Sequence, residues 1–360
     1  MPHIDVTTPG GIYTVVVERG ALASLASALP AQCGTVFVVT TEDVWTLHGA
    51  VVRAALGHLP FHTIFFAGGE SNKRMADVER MAESMVEFGG DRSSVVVGFG
   101  GGIVTDLAGF LAAIFMRGLP VIQVPTTLLA QVDAAVGGKT GANLVSGKNL
   151  IGAFHQPRAV IIDPGVLDTL PEREYRAGLY EIIKTGVIAN AGLFHTLATS
   201  RDSILARQHH IVDQIIAESV KVKAHVVSGD EREAGLRRIL NFGHTFGHAL
   251  EAETGYVRFL HGEAVSWGMR ASTHLAGDCN MIGVEDRISI FNLLDRYGPI
   301  PSTAGLSAEA IEARMVHDKK TIQRRLHFVL PQSIGTVAVR SDVPADLPRQ
   351  AIARALAECA

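Results

Sequence analysis

The chain has 360 residues, 47% hydrophobic and 19% charged, so it is long enough for two domains and has the composition of a folded protein. Its formal net charge of -4 argues against a surface for nucleic acids or anionic membranes, and its basic residues are therefore interpreted site by site. The three cysteines, Cys33, Cys279 and Cys359, lie far apart and form no CxxC pair, which favours reduced thiols in the cytoplasm.

The first residues, MPHIDVTTPGG, lack the basic and apolar regions of a signal peptide. The longest apolar run, from Leu107 to Met116, is bounded by Asp106 and Arg117 and is too short to span a bilayer. We expect this run to form a buried helix, and we expect a cytoplasmic protein with neither membrane nor nucleic-acid partners.

Residues 1–170 alternate short apolar runs with helical stretches. The predicted strands are YTVVV, TVFVVT, HTIFFAGG, SVVVGFGGG and VIQVPTT, and helices are expected near ALASLASAL, after Asp43, after Ser71 and after the glycine-rich run. Apolar strands without polar alternation, separated by helices, indicate a parallel sheet that is buried on both faces. We therefore predict an α/β nucleotide-binding domain with a parallel sheet over residues 1–170.

The turn after the fourth strand is rich in glycine. Gly98, Gly100, Gly101 and Gly102 lie where a diphosphate would meet the amides and the dipole of a helix N-terminus. The run is not the GxGxxG fingerprint, because residue 103 is Ile, and a tight structural turn is the alternative. Upstream, Glu70 and Lys73 in AGGESNKRM could contact a ribose or a phosphate, although such residues at a helix start are usually a cap and surface charge.

A polar segment, QVPTTLLAQVDAAVGGKTGANLVSGKNLIGAFHQP, follows from Gln123. Thr126 and Thr127 are expected to end a strand, which in an open parallel sheet directs them into the ligand crevice. Glycines flank the lysines that come next, and apolar residues are interspersed among them. We interpret the segment as ordered loops that present cations to an anionic substrate, in preference to a flexible surface loop.

From Tyr175 to about Leu326 the apolar residues recur with a helical period, most clearly in ILARQHHIVDQIIAESVKVKAHVV and DRISIFNLLDRY. Near the end, LHFVLP and GTVAVR predict a small hairpin whose turn lies in QSIG. The second domain, residues 171–360, is thus expected to be mainly α-helical.

Candidate metal ligands occur within this helical half. Glu181 and Lys184 lie three residues apart on one helix face among apolar residues, where a carboxylate needs a cation or a metal ion. His244 and His248 are one turn apart in NFGHTFGHALE, and His261 follows in FLHGEAVSWGM. A His/His/Glu set suits a catalytic zinc, whereas a Glu-Lys ion pair and core histidines are the alternative. The zinc-protease motif is excluded because Thr245 replaces its glutamate.

Together these segments resemble the 3-dehydroquinate synthase family over almost the whole chain. The matching stretches are GGGIVTDLAGFLAA, MRGLPVIQVPTTLLAQVDAAVGGKTGANLVSGKNLIGAFHQP, LYEIIKTGVI, DEREAGLRRILNFGHTFGHALE, LHGEAVSWGM and DKK. The resemblance implies an N-terminal domain that binds NAD and a helical C-terminal domain that carries Zn²⁺ or Co²⁺ and most of the substrate contacts.

The same resemblance implies roles for individual residues. The metal ligands would be Glu181, His244 and His261, and His248 would lie beside the metal, contact substrate and help to move protons. The NAD contacts would be Glu70, Ser71, Asn72, Lys73, Arg74, Met75, Gly102, Ile103, Val104, Thr105, Asp106, Thr126, Thr127, Lys139, Lys148, Val166, Leu167, Asp168 and Thr169. The substrate contacts would be Lys139, Asn149, Lys184, Lys223, Arg237, Asn241, Asp133, Glu233 and a lysine of Asp318-Lys319-Lys320. Arg117 would come from a neighbouring subunit, which implies a homodimer.

The implied reaction converts the sugar phosphate 3-deoxy-D-arabino-heptulosonate 7-phosphate into 3-dehydroquinate and phosphate, a lyase step of the shikimate pathway. NAD oxidises a hydroxyl group, phosphate leaves by β-elimination, the same NADH reduces the ketone, and an aldol step closes the ring. Zinc as a Lewis acid and cations around the leaving phosphate fit this chemistry.

Three alternatives are weighed against this function. Another sugar phosphate cyclase would differ in a few pocket side chains. A metal-dependent NAD polyol dehydrogenase would accumulate NADH and would need fewer cations for phosphate. A non-catalytic binding protein would be expected to lack some of the four residues Glu181, His244, His248 and His261, and none of them is missing.

Overall fold

A computed structural model describes residues 3–145, 147–316 and 326–360 of the chain. The chain divides into two compact units. The first comprises Met1–Pro171 and Val212–Arg232, and the second comprises Glu172–Ile211 and Glu233–Ala360. Residues 212–232, which are predicted to belong to the helical domain, thus pack with the first unit.

The first unit is built on a seven-stranded sheet in the order β1-β2-β9-β6-β5-β3-β4. Strands β1 and β2 pair antiparallel, whereas the other neighbours pair parallel. The predicted parallel sheet is therefore confirmed. The strands are β1 (His3–Thr8), β2 (Gly11–Val17), β3 (Val36–Thr40), β4 (Phe61–Phe65), β5 (Val95–Gly100), β6 (Val121–Pro125) and β9 (Ala159–Ile162).

The centre of this sheet is buried because its strands carry apolar residues on both faces. Every residue of β3, β5 and β6 is buried. The helices beside them are α1 (Glu42–Leu56), α2 (Met75–Glu87) and α3 (Gly102–Ile114). The apolar run that begins at Leu107 lies in α3 and is largely buried there, as expected. No helix in the described part of the chain is long and apolar enough to cross a membrane.

One predicted helix is present as a 3₁₀-helix, and one segment of the first unit differs from its prediction. The stretch ALASLASAL forms the 3₁₀-helix Ala21–Ala28. The polar segment that was predicted to be loops folds into an antiparallel hairpin of β7 (Lys139–Leu144) and β8 (Gly147–Phe154). Gly141 allows the two strands to pair closely, since a Cβ atom there would meet the backbone of Ile151 and Gly152.

The second unit is mainly helical. Its helices are α4 (Glu172–Ala189), α5 (Ala191–Thr199), α6 (Arg201–Leu205), α8 (His244–Glu253), α9 (His261–Asp278), α10 (Val284–Tyr297), α11 (Ala308–Val316) and α12 (Leu347–Glu358). The predicted hairpin is present as β10 (Phe328–Ser333) and β11 (Thr336–Arg340). The long amphipathic segment is interrupted, because α6 ends at Leu205 and α7 (His209–Gly229) begins four residues later.

Helices α8 and α9 lie in backbone contact. A Cβ atom on Gly268 would meet the backbone of Gly243 and Gly247, and a Cβ atom on Gly247 would meet the backbone of Ala264 and Val265. Buried aromatic residues, among them Phe246 and Trp267, fill the core around this contact. Glycine at these positions therefore sets the close approach of the two helices, each of which begins with a histidine.

Candidate active site

Three candidate metal ligands converge in the second unit. Glu181 Oε1 lies 3.8 Å from His244 Nε2 and 3.8 Å from His261 Nε2. The side chain of Glu181 is only 1% exposed, and the two imidazole rings are 5.2 Å apart between centroids. His244 is the first residue of α8 and His261 the first of α9, so the close packing of these helices brings both rings to Glu181 on α4.

The second nitrogen of each ring faces an oxygen atom. His244 Nδ1 lies 3.1 Å from the carbonyl oxygen of Phe242, and His261 Nδ1 lies 3.2 Å from Glu251 Oε2. Because carbonyl and carboxylate oxygens only accept hydrogen bonds, both contacts suit the tautomer that carries its proton on Nδ1. In that tautomer, the lone pair of each Nε2 faces Glu181.

The chemistry of this donor set fits a divalent metal ion. Glu181 Oε2 forms an ion pair with Lys184 Nζ, as the alternative interpretation of their spacing predicts. The other oxygen, Oε1, accepts no hydrogen bond from any residue that the structure describes, although it is buried. A buried carboxylate oxygen facing two imidazole nitrogens is costly in apolar surroundings and is satisfied by a zinc-like cation with nitrogen and oxygen ligands.

His248 lies next to these ligands. Its ring is 5.3 Å from that of His244 and 5.6 Å from that of His261 between centroids. One nitrogen from each of the three histidines falls within 4.8 Å of the others, so the histidines alone form a second geometrically feasible ligand set. The two sets share His244 and His261 and differ in whether Glu181 or His248 completes them.

Other predicted substrate contacts of the second unit lie before α8 in the sequence, on α4 or in the turn that precedes α8. Arg237, in the turn before the helix, is 2% exposed, and Lys184 on α4 is equally buried. The side chain of Asn241 donates a hydrogen bond to Glu233. The predicted lysine contact, Lys319 or Lys320, lies outside the described residues.

In the first unit, Lys73 joins predicted residues from three separate segments. Its side chain is 3% exposed, and its Nζ lies 2.5 Å from Asp106 Oδ2 and 2.6 Å from Asn149 Oδ1. Burial raises the pKa of Asp106, and the charge of Lys73 only partly offsets this effect. Asn149 adopts a left-handed conformation with φ 51°, which is uncommon for a residue with a side chain.

A second set of polar contacts connects the β7–β8 hairpin to the loop at Glu70. Lys148 Nζ lies 3.5 Å from Glu70 Oε2. Asn143, which is buried, donates hydrogen bonds to Glu70 Oε1 at 2.6 Å and to the Glu70 carbonyl oxygen at 3.1 Å. Its Oδ1 accepts a hydrogen bond from the backbone N–H of Asn149 at 2.8 Å. Lys139, at the start of the hairpin, is exposed.

The glycine-rich turn lies at the carboxyl ends of two adjacent parallel strands. Strand β5 ends at Gly100 and β6 at Pro125, so Thr126 and Thr127 follow β6 and do not lie within it. A Cβ atom on Gly101 would come within 3.1 Å of Thr127. Close packing therefore explains why residue 101 is glycine. The backbone amides at the N-terminus of α3 remain suited to bind a phosphate group. The remaining predicted NAD contacts of this turn are Gly102, Ile103, Val104 and Thr105.

Three further sets of predicted residues belong to the first unit. Asp133 forms an ion pair with Lys223 of α7, 90 residues further along the chain. Thr169 Oγ1 lies 2.9 Å from His48 Nε2, at the end of a 3₁₀-turn that contains Val166, Leu167 and Asp168. Ser71, Asn72, Arg74 and Met75 lie in or just after the turn that follows Glu70.

Arg117 is exposed on a strained turn. Met116 has φ 47° and Arg117 has φ 71°, both left-handed, and Gly118 follows with φ 126°. Consecutive non-glycine residues in this region cost free energy, and such strain concentrates at functional sites.

One buried polar residue that contacts a predicted metal ligand was not predicted itself. Glu251 lies three residues after His248, on the same face of α8, and contacts His261. Asn143, a polar residue of the segment that was predicted to face an anionic substrate, contacts Glu70 and Asn149. The sequence marks Glu251 only by its position one helical turn after His248.

Comparison with known proteins decides the family. The model of the 3-dehydroquinate synthase N-terminal domain matches residues 63–177, and that of its C-terminal domain matches residues 178–321. This chain belongs to the 3-dehydroquinate synthase family. A 3-dehydroquinate synthase of Solibacter usitatus is 60% identical over 99% of this chain and 100% of its own length. One from Koribacter versatilis is 47% identical over 95% of both chains.

Solved structures of related cyclases share the fold. A 2-epi-5-epi-valiolone synthase of Streptomyces hygroscopicus, with NAD⁺ and Zn²⁺ bound, superposes with a TM-score of 0.88 at 30% identity and covers 96% of this chain and 97% of its own. A 2-deoxy-scyllo-inosose synthase, solved with carbaglucose-6-phosphate, NAD⁺ and Co²⁺, gives 0.88 at 26% identity, covering 98% and 99%. The predicted fold class, an α/β domain followed by a mainly helical one, is thus confirmed.

Proposed function

We propose that this chain catalyses the 3-dehydroquinate synthase reaction, the conversion of 3-deoxy-D-arabino-heptulosonate 7-phosphate to 3-dehydroquinate and phosphate. The observation that carries the proposal is the buried Glu181 Oε1 facing the Nε2 atoms of His244 and His261, in a member of this family. The enzyme is a carbon–oxygen lyase, because its redox steps cancel within each turnover.

We propose Glu181, His244 and His261 as the metal ligands. The carboxylate favours this set over the three histidines, since it is 1% exposed and needs a positive charge at Oε1. Bound zinc or cobalt supplies a Lewis acid for substrate hydroxyl groups, and bound NAD supplies a hydride acceptor that returns its hydride within the turnover. His248, beside the ligands, holds or moves a proton at its ring nitrogen.

The first unit is proposed to bind NAD. Its support is the polar network in which Lys73, Asp106 and Asn149 meet, together with the Glu70–Lys148 pair. The amides at the N-terminus of α3 suit the pyrophosphate. The remaining proposed contacts are those of segments 70–75, 102–106, 126–127 and 166–169, with Lys139.

Cationic and amide side chains are proposed to bind the substrate. Positive charge placed at a leaving phosphate stabilises the charge that develops during elimination. Asp133 and Glu233 hold Lys223 and Asn241 in position through the hydrogen bonds described above. The proposed substrate contacts are Lys139, Asn149, Lys184, Lys223, Arg237 and Asn241.

The proposed assembly is a cytoplasmic homodimer in which Arg117 serves the neighbouring subunit. The strained, exposed turn at Arg117 supports this role. Apolar side chains of the first unit near that turn and on the β7–β8 hairpin are also exposed: Ile114 by 45%, Met116 by 39% and Phe154 by 46%.

The test is phosphate release from the heptulosonate phosphate by purified protein with Zn²⁺ and catalytic NAD. We expect phosphate and 3-dehydroquinate in equal amounts without net NADH. His244→Ala should lose both the metal, measured by elemental analysis, and phosphate release. His248→Ala should keep the metal and turn over more slowly.

Two outcomes would contradict the proposal. Stoichiometric NADH accumulation would indicate a polyol dehydrogenase, and phosphate release only from other sugar phosphates would indicate another cyclase. Equal loss of metal in His244→Ala and His248→Ala would refute the ligand assignment, because His248 would then also bind the metal.

A further inference from the structure

Glu251 is a buried carboxylate directed at a candidate metal ligand. It lies on α8, its side chain is 2% exposed, and its Oε2 is 3.2 Å from His261 Nδ1. The opposite nitrogen of the same ring, Nε2, is 3.8 Å from Glu181 Oε1. The imidazole of His261 thus lies between two buried carboxylates, one on each side.

The two candidate histidine ligands differ in the oxygen atom that faces their Nδ1 atom and in their exposure to solvent. His244 Nδ1 faces the neutral carbonyl oxygen of Phe242, and its side chain is 10% exposed. His261, whose side chain is 31% exposed, is less enclosed and faces the carboxyl group of Glu251 instead. A carboxylate acceptor fixes ring orientation and tautomer more firmly than a carbonyl, and raises the basicity of the opposite nitrogen.

We propose that Glu251 is a positioning residue for metal binding, acting through His261. Its carboxylate accepts the proton of Nδ1–H and so keeps the Nε2 lone pair of His261 directed towards Glu181. The proposal rests on the proposed metal role of His261.

The test replaces Glu251 by Gln, which has the same shape but no charge. The matched control is Glu253→Gln on the same helix, because Glu253 forms an ion pair with Arg314 at 3.0 Å, away from the histidines. Apparent dissociation constants for Zn²⁺ and Co²⁺ are measured by competition with a chromophoric chelator. We expect Glu251→Gln to weaken binding about 10- to 100-fold, the usual effect of losing an outer carboxylate.

A spectroscopic readout separates positioning from general destabilisation. The visible absorption of the Co²⁺-loaded protein should shift in Glu251→Gln and stay unchanged in Glu253→Gln. If Glu251→Gln fails to fold, the tautomer of His261 is read by imidazole ¹⁵N NMR of the zinc-loaded wild-type protein, where a protonated Nδ1 is expected.

Wild-type affinity and an unshifted cobalt spectrum in Glu251→Gln would overturn the proposal, as would equal losses in both variants or an unprotonated Nδ1. Failure of the proposed function has a different signature. It would leave wild-type protein unable to release phosphate, whatever the metal affinity of the variants.

Discussion

At the scale of single residues, Lys73 shows how a buried charge links parts of the first unit. Its ammonium group is compensated by the carboxylate of Asp106 and by the amide oxygen of Asn149. These partners lie on helix α3 and on strand β8, far from Lys73 in sequence. One cation therefore holds together three segments that are proposed to bind NAD and substrate.

Replacing Lys73 by Met should destabilise the protein in a pH-dependent way. Asp106 would be left without its cation, at a cost of about 2–3 kcal/mol near pH 7, less than for a fully buried pair because Asp106 is 19% exposed. Burial already raises the pKa of Asp106, and loss of Lys73 raises it further. The folded state then binds a proton more readily than the unfolded state, so the deficit is full above the raised pKa and shrinks as pH falls through it.

The measurement is urea unfolding of wild type and Lys73→Met from about pH 7.5 to about pH 5. The control is Lys221→Met, which removes an exposed lysine paired with Glu218 and should cost less than about 0.5 kcal/mol at every pH. A deficit that stays constant or grows on acidification would refute the assigned role of Asp106.

Single residues were predictable where spacing along one helix brings them together. Glu181 and Lys184 are three apart on α4, and the structure forms their ion pair. The contact of Glu251 with His261 was not predictable, because it depends on how two helices pack and only the three-dimensional contact between them defines it. Spacing alone could equally have placed Glu251 on a solvated face.

At the scale of elements, the packing of α8 against α9 positions both histidine ligands. Glycines at Gly243, Gly247 and Gly268 remove the side chains that would keep the helices apart. Backbone contact at these points lets His244 and His261 face the same carboxylate. The ligand geometry is therefore a property of the helix pair.

Replacing Gly268 by Ala should weaken both stability and metal binding. The added Cβ would meet backbone atoms of Gly243 and Gly247, which cannot rotate away, so the helices must separate at a cost of about 1–3 kcal/mol. Chemical unfolding of the metal-free protein and metal titration measure the two effects. Gly283→Ala is the control for metal affinity, because a Cβ there would have no described residue within 4 Å beyond its chain neighbours, and its φ is -66°. Unchanged metal affinity in Gly268→Ala would contradict the role of this contact.

Helices and strands were predictable where the order of apolar and polar residues was typical of only one kind of element. Strands β3 and β5 are continuous runs of apolar residues, and the structure buries all of them. Strands β7 and β8 are not predictable from the sequence, because their glycines, lysines and asparagines hide the alternation that pairing produces. Their strand conformation depends on mutual hydrogen bonding and on packing against α3, which are tertiary effects.

At the scale of the whole molecule, the site residues come from distant parts of the sequence. Asp133 pairs with Lys223, and Glu181 faces His261, 80 residues later by sequence number. No local pattern contains such pairs, and the family resemblance supplied them as a set. The sequence of α7 likewise shows a clear helical period. It does not show that the helix, from residue 212, belongs to the first unit.

The two units should respond separately to their proposed ligands. Ligand binding to the folded state lowers the population of locally opened states, so hydrogen exchange slows where each ligand is held. We expect Zn²⁺ to slow exchange in α4 and in the first turns of α8 and α9, and NAD to slow exchange after Gly69 and at the start of α3. In His244→Ala, the effect of Zn²⁺ should disappear while that of NAD persists. Protection of α8 by NAD alone, or of the α3 N-terminus by Zn²⁺ alone, would contradict the assignment of NAD to the first unit and of the metal to the second.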